Sequence, residues 1–197
     1  MEITLQPGDI LVWESSEKGI IRRIKHFITQ SDRGHVSVFW GFKTPGGDEL
    51  CGDWDTSLNK KFSPLHCESI GRGQCKTELL KSAGRHVDVY RYKTVSVSTE
   101  AAIKMNNLVL DGDQVYDYWC IFRYAIPSIL WHRISGKWCG FGYARDSRYI
   151  CSEAADFVYD YRFFSRTDIP TFPWDYEYAK GLKLVASGVL TTEGAIV

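Results

Sequence analysis

At Cys151 the chain changes period: in Tyr149-Ile150-Cys151-Ser152-Glu153-Ala154-Ala155-Asp156-Phe157-Val158-Tyr159 an extended apolar pair gives way to helical spacing. The pattern predicts a helix headed by Cys151. Unpaired N–H groups and the positive end of the macrodipole at a helix start favour a thiolate, which is the nucleophilic form of cysteine. A fold built on this helix must bring a base to its first turn, because a cysteine nucleophile is normally activated by an imidazole that a third polar group orients. Among the five histidines His35 fits best. It opens the run His35-Val36-Ser37-Val38-Phe39-Trp40-Gly41, whose β-branched and aromatic content predicts a strand, directly after the break Ser31-Asp32-Arg33-Gly34. From a strand start after a turn, an imidazole can face a cleft.

The third member is sought across a hairpin. Thr44-Pro45-Gly46-Gly47-Asp48 is a turn signal, and Glu49-Leu50-Cys51-Gly52-Asp53-Trp54-Asp55 can return antiparallel to the His35 strand. A turn centred near Pro45-Gly46 pairs residues whose numbers sum to about 88 to 91, which sets Asp53 or Asp55 beside His35. Either carboxylate could accept the imidazole N–H, fix its tautomer and stabilise the imidazolium. Glu49 has the same parity but lies too far along the strand.

Elsewhere, Pro7-Gly8-Asp9 is a turn, and Ile10-Leu11-Val12-Trp13 after it suits a short buried strand. A helix capped by Ser15 or Ser16 should follow, with Ile20, Ile21, Ile24, Phe27 and Ile28 at helical spacing and Lys18, Arg22, Arg23 and Lys25 on a solvated face. His86-Val87-Asp88-Val89-Tyr90-Arg91-Tyr92 alternates as a strand does, and Thr99-Glu100 opens a helix that ends near Asp111-Gly112. Residues 116–131 are aromatic and apolar but hold Arg123 and Pro127, which predicts a broken helix and loop lining the core rather than a membrane-seeking element. Residues 136–148 should be loop, the stretch around Thr167-Asp168-Ile169-Pro170 turn-rich, and residues 187–197 a mobile tail behind a single domain over 1–186.

Composition narrows the partners. The 24 basic and 24 acidic side chains give a formal net charge of zero, so the electrostatic attraction that non-specific nucleic-acid binding requires is missing. No segment reaches the ~18 apolar residues of a membrane span, and the start of the sequence lacks the basic and apolar regions of a secretory signal. A cytoplasmic location and mostly free thiols are therefore expected for the six cysteines, with Cys120 and Cys139 as inert buried thiols. Cysteine spacing does not read as a zinc site, and neither a metal nor another cofactor is expected.

Taken in order, Pro7-Gly8-Asp9-Ile10-Leu11, the segment 31–41 and Tyr149-Ile150-Cys151-Ser152-Glu153-Ala154 resemble the circularly permuted NlpC-type, papain-like cysteine hydrolases of the YaeF/YiiX group. The histidine strand precedes the cysteine helix here, the reverse of the order in ordinary papain-like enzymes. Lecithin:retinol acyltransferase-like proteins share the permuted order. The resemblance runs from about Leu5 to Val185, the closing segments Thr167-Asp168-Ile169-Pro170 and Leu182-Lys183-Leu184-Val185 included. It implies an α+β fold in which a small antiparallel sheet packs against the nucleophile helix. Cys151 would be the nucleophile, His35 the base and Asp53 the orienter at a place where the family often has Glu. The implied activity is cleavage of an amide bond in a peptide, N-acyl or lipid-like small substrate. Lipid or thioester acyl transfer is the first alternative, and a non-catalytic binding module the second.

Overall fold

Ile10-Leu11-Val12-Trp13 is buried on both faces, and strand β1 (Ile10–Glu14) accordingly lies inside the sheet. The computed structural model describes residues 4–15, 23, 26, 29, 31–55, 61–70, 73–112, 116–144, 148–164 and 168–197. The helix expected over 16–30 lies outside them apart from positions 23, 26 and 29, which are helical. Thr167 lies outside them as well.

Among the described residues the architecture is α+β. Strands β1, β2 (Arg33–Lys43), β3 (Glu49–Cys51), β4 (Ser63–Ile70), β5 (Gly73–Glu78), β6 (His86–Tyr92) and β7 (Leu182–Val189) form one open sheet in the order β5-β4-β2-β1-β6-β7, with β3 also paired to β2. Every pairing is antiparallel. The helices are α1 (Val95–Asp111), a single turn α2 (Tyr118–Cys120), α3 (Ile126–Ser135) and α4 (Cys151–Val158). Helix α1 starts at Val95, ahead of the expected Thr99, and ends on Gly112 in the left-handed conformation (φ 64°), which a glycine adopts without a Cβ clash.

Each face of the sheet carries its own apolar cluster. Val12, Val36, Val38 and Cys67 pack on Ala101, Ala102 and Met105 of α1 and on Ala154, Ala155 and Val158 of α4. On the opposite face Trp13, Phe39, Val87 and Val89 are covered by Leu5, Trp54, Leu79, Leu190 and Ile196. Small alanines on the helices let α1 and α4 sit close to the strands. The Pro7-Gly8-Asp9 turn locks the entry to β1. Gly8 has φ 88°, and a Cβ there would meet the Ser98 carbonyl at 2.1 Å. Its own carbonyl accepts from the Tyr159 hydroxyl just beyond α4. Buried Asp9 receives both Nε and Nη2 of Arg91, at 2.8 and 2.7 Å.

Three expectations are corrected. Residues 187–197 are packed: Ser187 Oγ donates to Asp88 at 2.6 Å, Val189 and Val197 exchange backbone hydrogen bonds, and Leu190 and Ile196 are buried against Trp54 and its neighbours. The broken helix over 116–131 forms, with a π-helical turn (Ile121–Ala125) preceding Pro127, which has no N–H to donate to the preceding turn. It lines the core with one face only: Cys120, Ala125 and Ile129 are buried, while Trp119, Phe122 and Trp131 are exposed. The sheet is larger than the small one expected, because β4, β5 and β7 join the strands read from the sequence.

Candidate active site

Cys151 is the first residue of α4, as its sequence context dictates: Ile150 is extended (ψ 165°) and the helix follows without a break. The helix start is held from several sides. Glu153 Oε2 accepts from the Ile150 N–H at 3.2 Å, while the Tyr143 hydroxyl and the Cys120 thiol both donate to Oε1. Ser152 Oγ donates to the Thr171 carbonyl at 2.5 Å, and the Ser152 carbonyl accepts from Tyr176 at 2.7 Å. Burial pushes the Glu153 carboxyl up to about 7, against the pull of those hydrogen bonds. Ordering these groups in the folded protein removes the rotational freedom that would smear the position of the Cys151 sulfur.

His35 lies near the start of β2, opposite Trp13 of β1. Its Nε2 is 2.6 Å from Glu68 Oε2 on β4, where Ser37 pairs with Glu68. Ser69, the next residue, donates to the Tyr149 carbonyl at 3.1 Å, so β4 is tied to the residues leading into α4. The imidazole also lies close enough to the Cys151 thiol for each group to shift the ionisation of the other. The three groups form one row, thiol to imidazole to carboxylate. His35 and Glu68 side chains are only 18% and 14% exposed and Cys151 is 5% exposed, so the row is largely shielded from solvent.

The electrostatics follow from this row. Burial opposes charge on all three groups, and the partners outweigh it. The charge of Cys151 and the hydrogen bonds to Cys151 and Glu68 raise His35 to about 9. Glu68 is driven down to about 2, chiefly by the hydrogen bond from His35. The Cys151 thiol falls below its ordinary value, under the charge and hydrogen bond of His35 and the backbone N–H groups of Val36 and Ser152. Both shifts favour the thiolate–imidazolium form of the pair. The other sequence-distant thiols differ: burial pushes Cys67 up to about 12 and raises Cys51 and Cys75.

Asp53 is not in the row. It is exposed, beyond the end of β3, and its charge acts on Asp9 and Arg91 at the other end of β1. The reason is competition for one strand edge. β1 occupies the edge of β2 from Arg33 to Val38, so β3 can pair only further along, Gly41 with Cys51 and Lys43 with Glu49. Trp54 then turns away to bridge Leu5, and Asp55 goes with it. The other edge of β2 is taken by β4, which delivers Glu68. Sequence reasoning passed over this strand. A signal was present, since Gly71-Arg72-Gly73 separates Leu65-His66-Cys67-Glu68-Ser69-Ile70 from Gln74-Cys75-Lys76-Thr77-Glu78 in the manner of a hairpin.

All six cysteines are free. With iodoacetamide in the folded protein at neutral pH, Cys151 is expected to alkylate first, because its thiol is lowered while those of Cys51, Cys67 and Cys75 are raised. Peptide mapping by mass spectrometry checks this; faster modification of Cys51, Cys67 or Cys75 at that pH would refute the ion pair. No protein-family model matches the chain, and no curated protein matches it either.

Proposed function

We propose that the chain is a cysteine hydrolase that cleaves an amide bond, in a peptide or an N-acyl compound, through an acyl-enzyme on Cys151. The observation that carries the reading is the row Cys151, His35, Glu68, with the sulfur at a helix start and the imidazole held between thiol and carboxylate. The Cys151 thiolate attacks the carbonyl carbon, and the oxyanion that forms is stabilised by N–H groups at the start of α4. His35 gives its proton to the leaving nitrogen as the C–N bond breaks, which leaves a thioester and a neutral imidazole. Water then attacks the thioester; His35 takes its proton, the C–S bond breaks, and the acid departs with thiolate and imidazolium restored. Glu68 keeps the ring in one orientation and stabilises its charged form throughout. Acyl transfer to another acceptor would share the first half and differ only in what attacks the thioester.

The test is capture of the intermediate. Acid quenching during turnover of a mixed set of N-acyl and peptide amides, followed by intact-mass measurement, is expected to find the acyl mass on Cys151 and a free acid in solution. Acid release without an adduct that maps to Cys151, or no cleavage of any amide or thioester offered, would overturn the reading. Above about pH 9 hydrolysis should fall as His35 loses the proton it gives the leaving group. Alkylation by iodoacetamide, which needs only the thiolate, should not fall there.

A further inference from the structure

The helical segment after Asp117 inverts the usual pattern of a surface helix. Trp119, Phe122, Ile126, Leu130 and Ile134 recur at spacings of three and four, the signature of one helix face. That face ought to be buried, yet Phe122 is 64% and Ile134 83% exposed, with Trp119 and Leu130 exposed beside them. The face turned inward carries instead Cys120, Ala125, Ser128 and Ile129. Trp131 and Phe141, stacked edge to face at 6.3 Å, enlarge the apolar surface and are themselves exposed. So large a run of apolar side chains on the outside of a protein marks an interaction surface.

Charge identifies the partner. The whole chain is neutral, but from Tyr118 to Phe141 it holds Arg123, Arg133 and Lys137 and not one Asp or Glu. Exposed Trp and Phe among Arg and Lys on a helix lying at the surface is the composition that settles at a lipid interface, with rings at headgroup depth and cations on anionic phosphates. A second copy of this chain fits poorly, because a symmetric contact would set the basic face against itself. Within the same face a recess of about 160 Å³ opens between Arg123 and Arg148, lined also by Trp119, Tyr124, Tyr143 and Asp117. Asp117 is engaged in capping the Cys120 N–H at 2.9 Å. The recess adjoins the active site through Tyr143, whose hydroxyl holds Glu153 in the first turn of α4.

We propose that the face built from residues 118–141 docks on an anionic phospholipid surface, its aromatic side chains inserted at the interface and its Arg and Lys side chains on lipid phosphates. No crossing of the bilayer is involved; no helix among the described residues is long and apolar enough to span it. The docking is a property of the surface and is independent of the chemistry at Cys151.

Sedimentation of the full chain with vesicles tests it, comparing phosphatidylcholine alone with phosphatidylcholine mixed with phosphatidylglycerol. Binding to the anionic vesicles is expected to be at least about tenfold tighter and to weaken as salt is raised. Phe122→Glu with Ile134→Glu should lose vesicle binding while keeping the circular dichroism spectrum and the Cys151 alkylation rate, both side chains being exposed. Arg123→Gln with Lys137→Gln should lose the preference for anionic lipid. Cys151→Ser should bind as wild type does, so a failed hydrolase reading and a failed docking surface give different results. Equal binding to both vesicle types, unimpaired binding by Phe122→Glu with Ile134→Glu, or absence of vesicle binding together with a dimer that this variant breaks would each overturn the proposal.

Discussion

Cys151→Ser is expected to lower turnover by on the order of 10⁴-fold or more, with the fold intact. Exchanging sulfur for oxygen barely changes the volume of a side chain that is 5% exposed, so packing around α4 has no reason to shift. What disappears is the group able to ionise, because a serine hydroxyl does not ionise beside an imidazole in the ground state. His35 then loses the strongest of the influences that raise it, while burial continues to pull its pKa down. Its pKa should therefore drop from about 9, a shift that the ring resonances in an NMR titration report directly. A variant that turns over at the wild-type rate would remove Cys151 from the mechanism. A His35 that still titrates near its original value would show that no thiolate stands beside it.

Glu68→Gln should cost on the order of 10²-fold or more in kcat, by analogy with loss of the orienting carboxylate in the serine triad. The amide can keep a hydrogen bond to Nε2, yet it brings no charge to stabilise the imidazolium. Glu68 helps to raise His35, so its removal moves the alkaline limb of the rate profile to lower pH. A residue that served only as packing would leave the limb in place. Asp53→Asn should be close to wild type in both rate and profile, since Asp53 is exposed and acts on Asp9 and Arg91 instead. Equal loss in both variants, or loss in Asp53→Asn alone, would contradict the row Cys151, His35, Glu68.

The local features of this protein were legible residue by residue. Helix α4 begins at the residue where the apolar spacing changes, β1 and β6 coincide with an apolar run and a clean alternation, and α1 stops at Gly112. Such features depend on neighbours within a few positions, through side-chain period, capping and the left-handed freedom of glycine. His35 and Cys151 were also singled out locally, each by its place at the start of an element.

Tertiary structure decided the rest, because it depends on which strand wins a shared edge. Nothing near His35 in sequence says that β1 fills one side of β2 and β4 the other, and that is what excludes Asp53 and brings in Glu68. The same holds for residues 187–197, whose Leu190 and Ile196 have a partner only once Trp54 and Val87 form a surface. It holds for residues 118–141 as well. Their amphipathic spacing was in the sequence from the start, but spacing has no direction: it shows that a helix has an apolar face, and only the packed fold turns that face toward solvent.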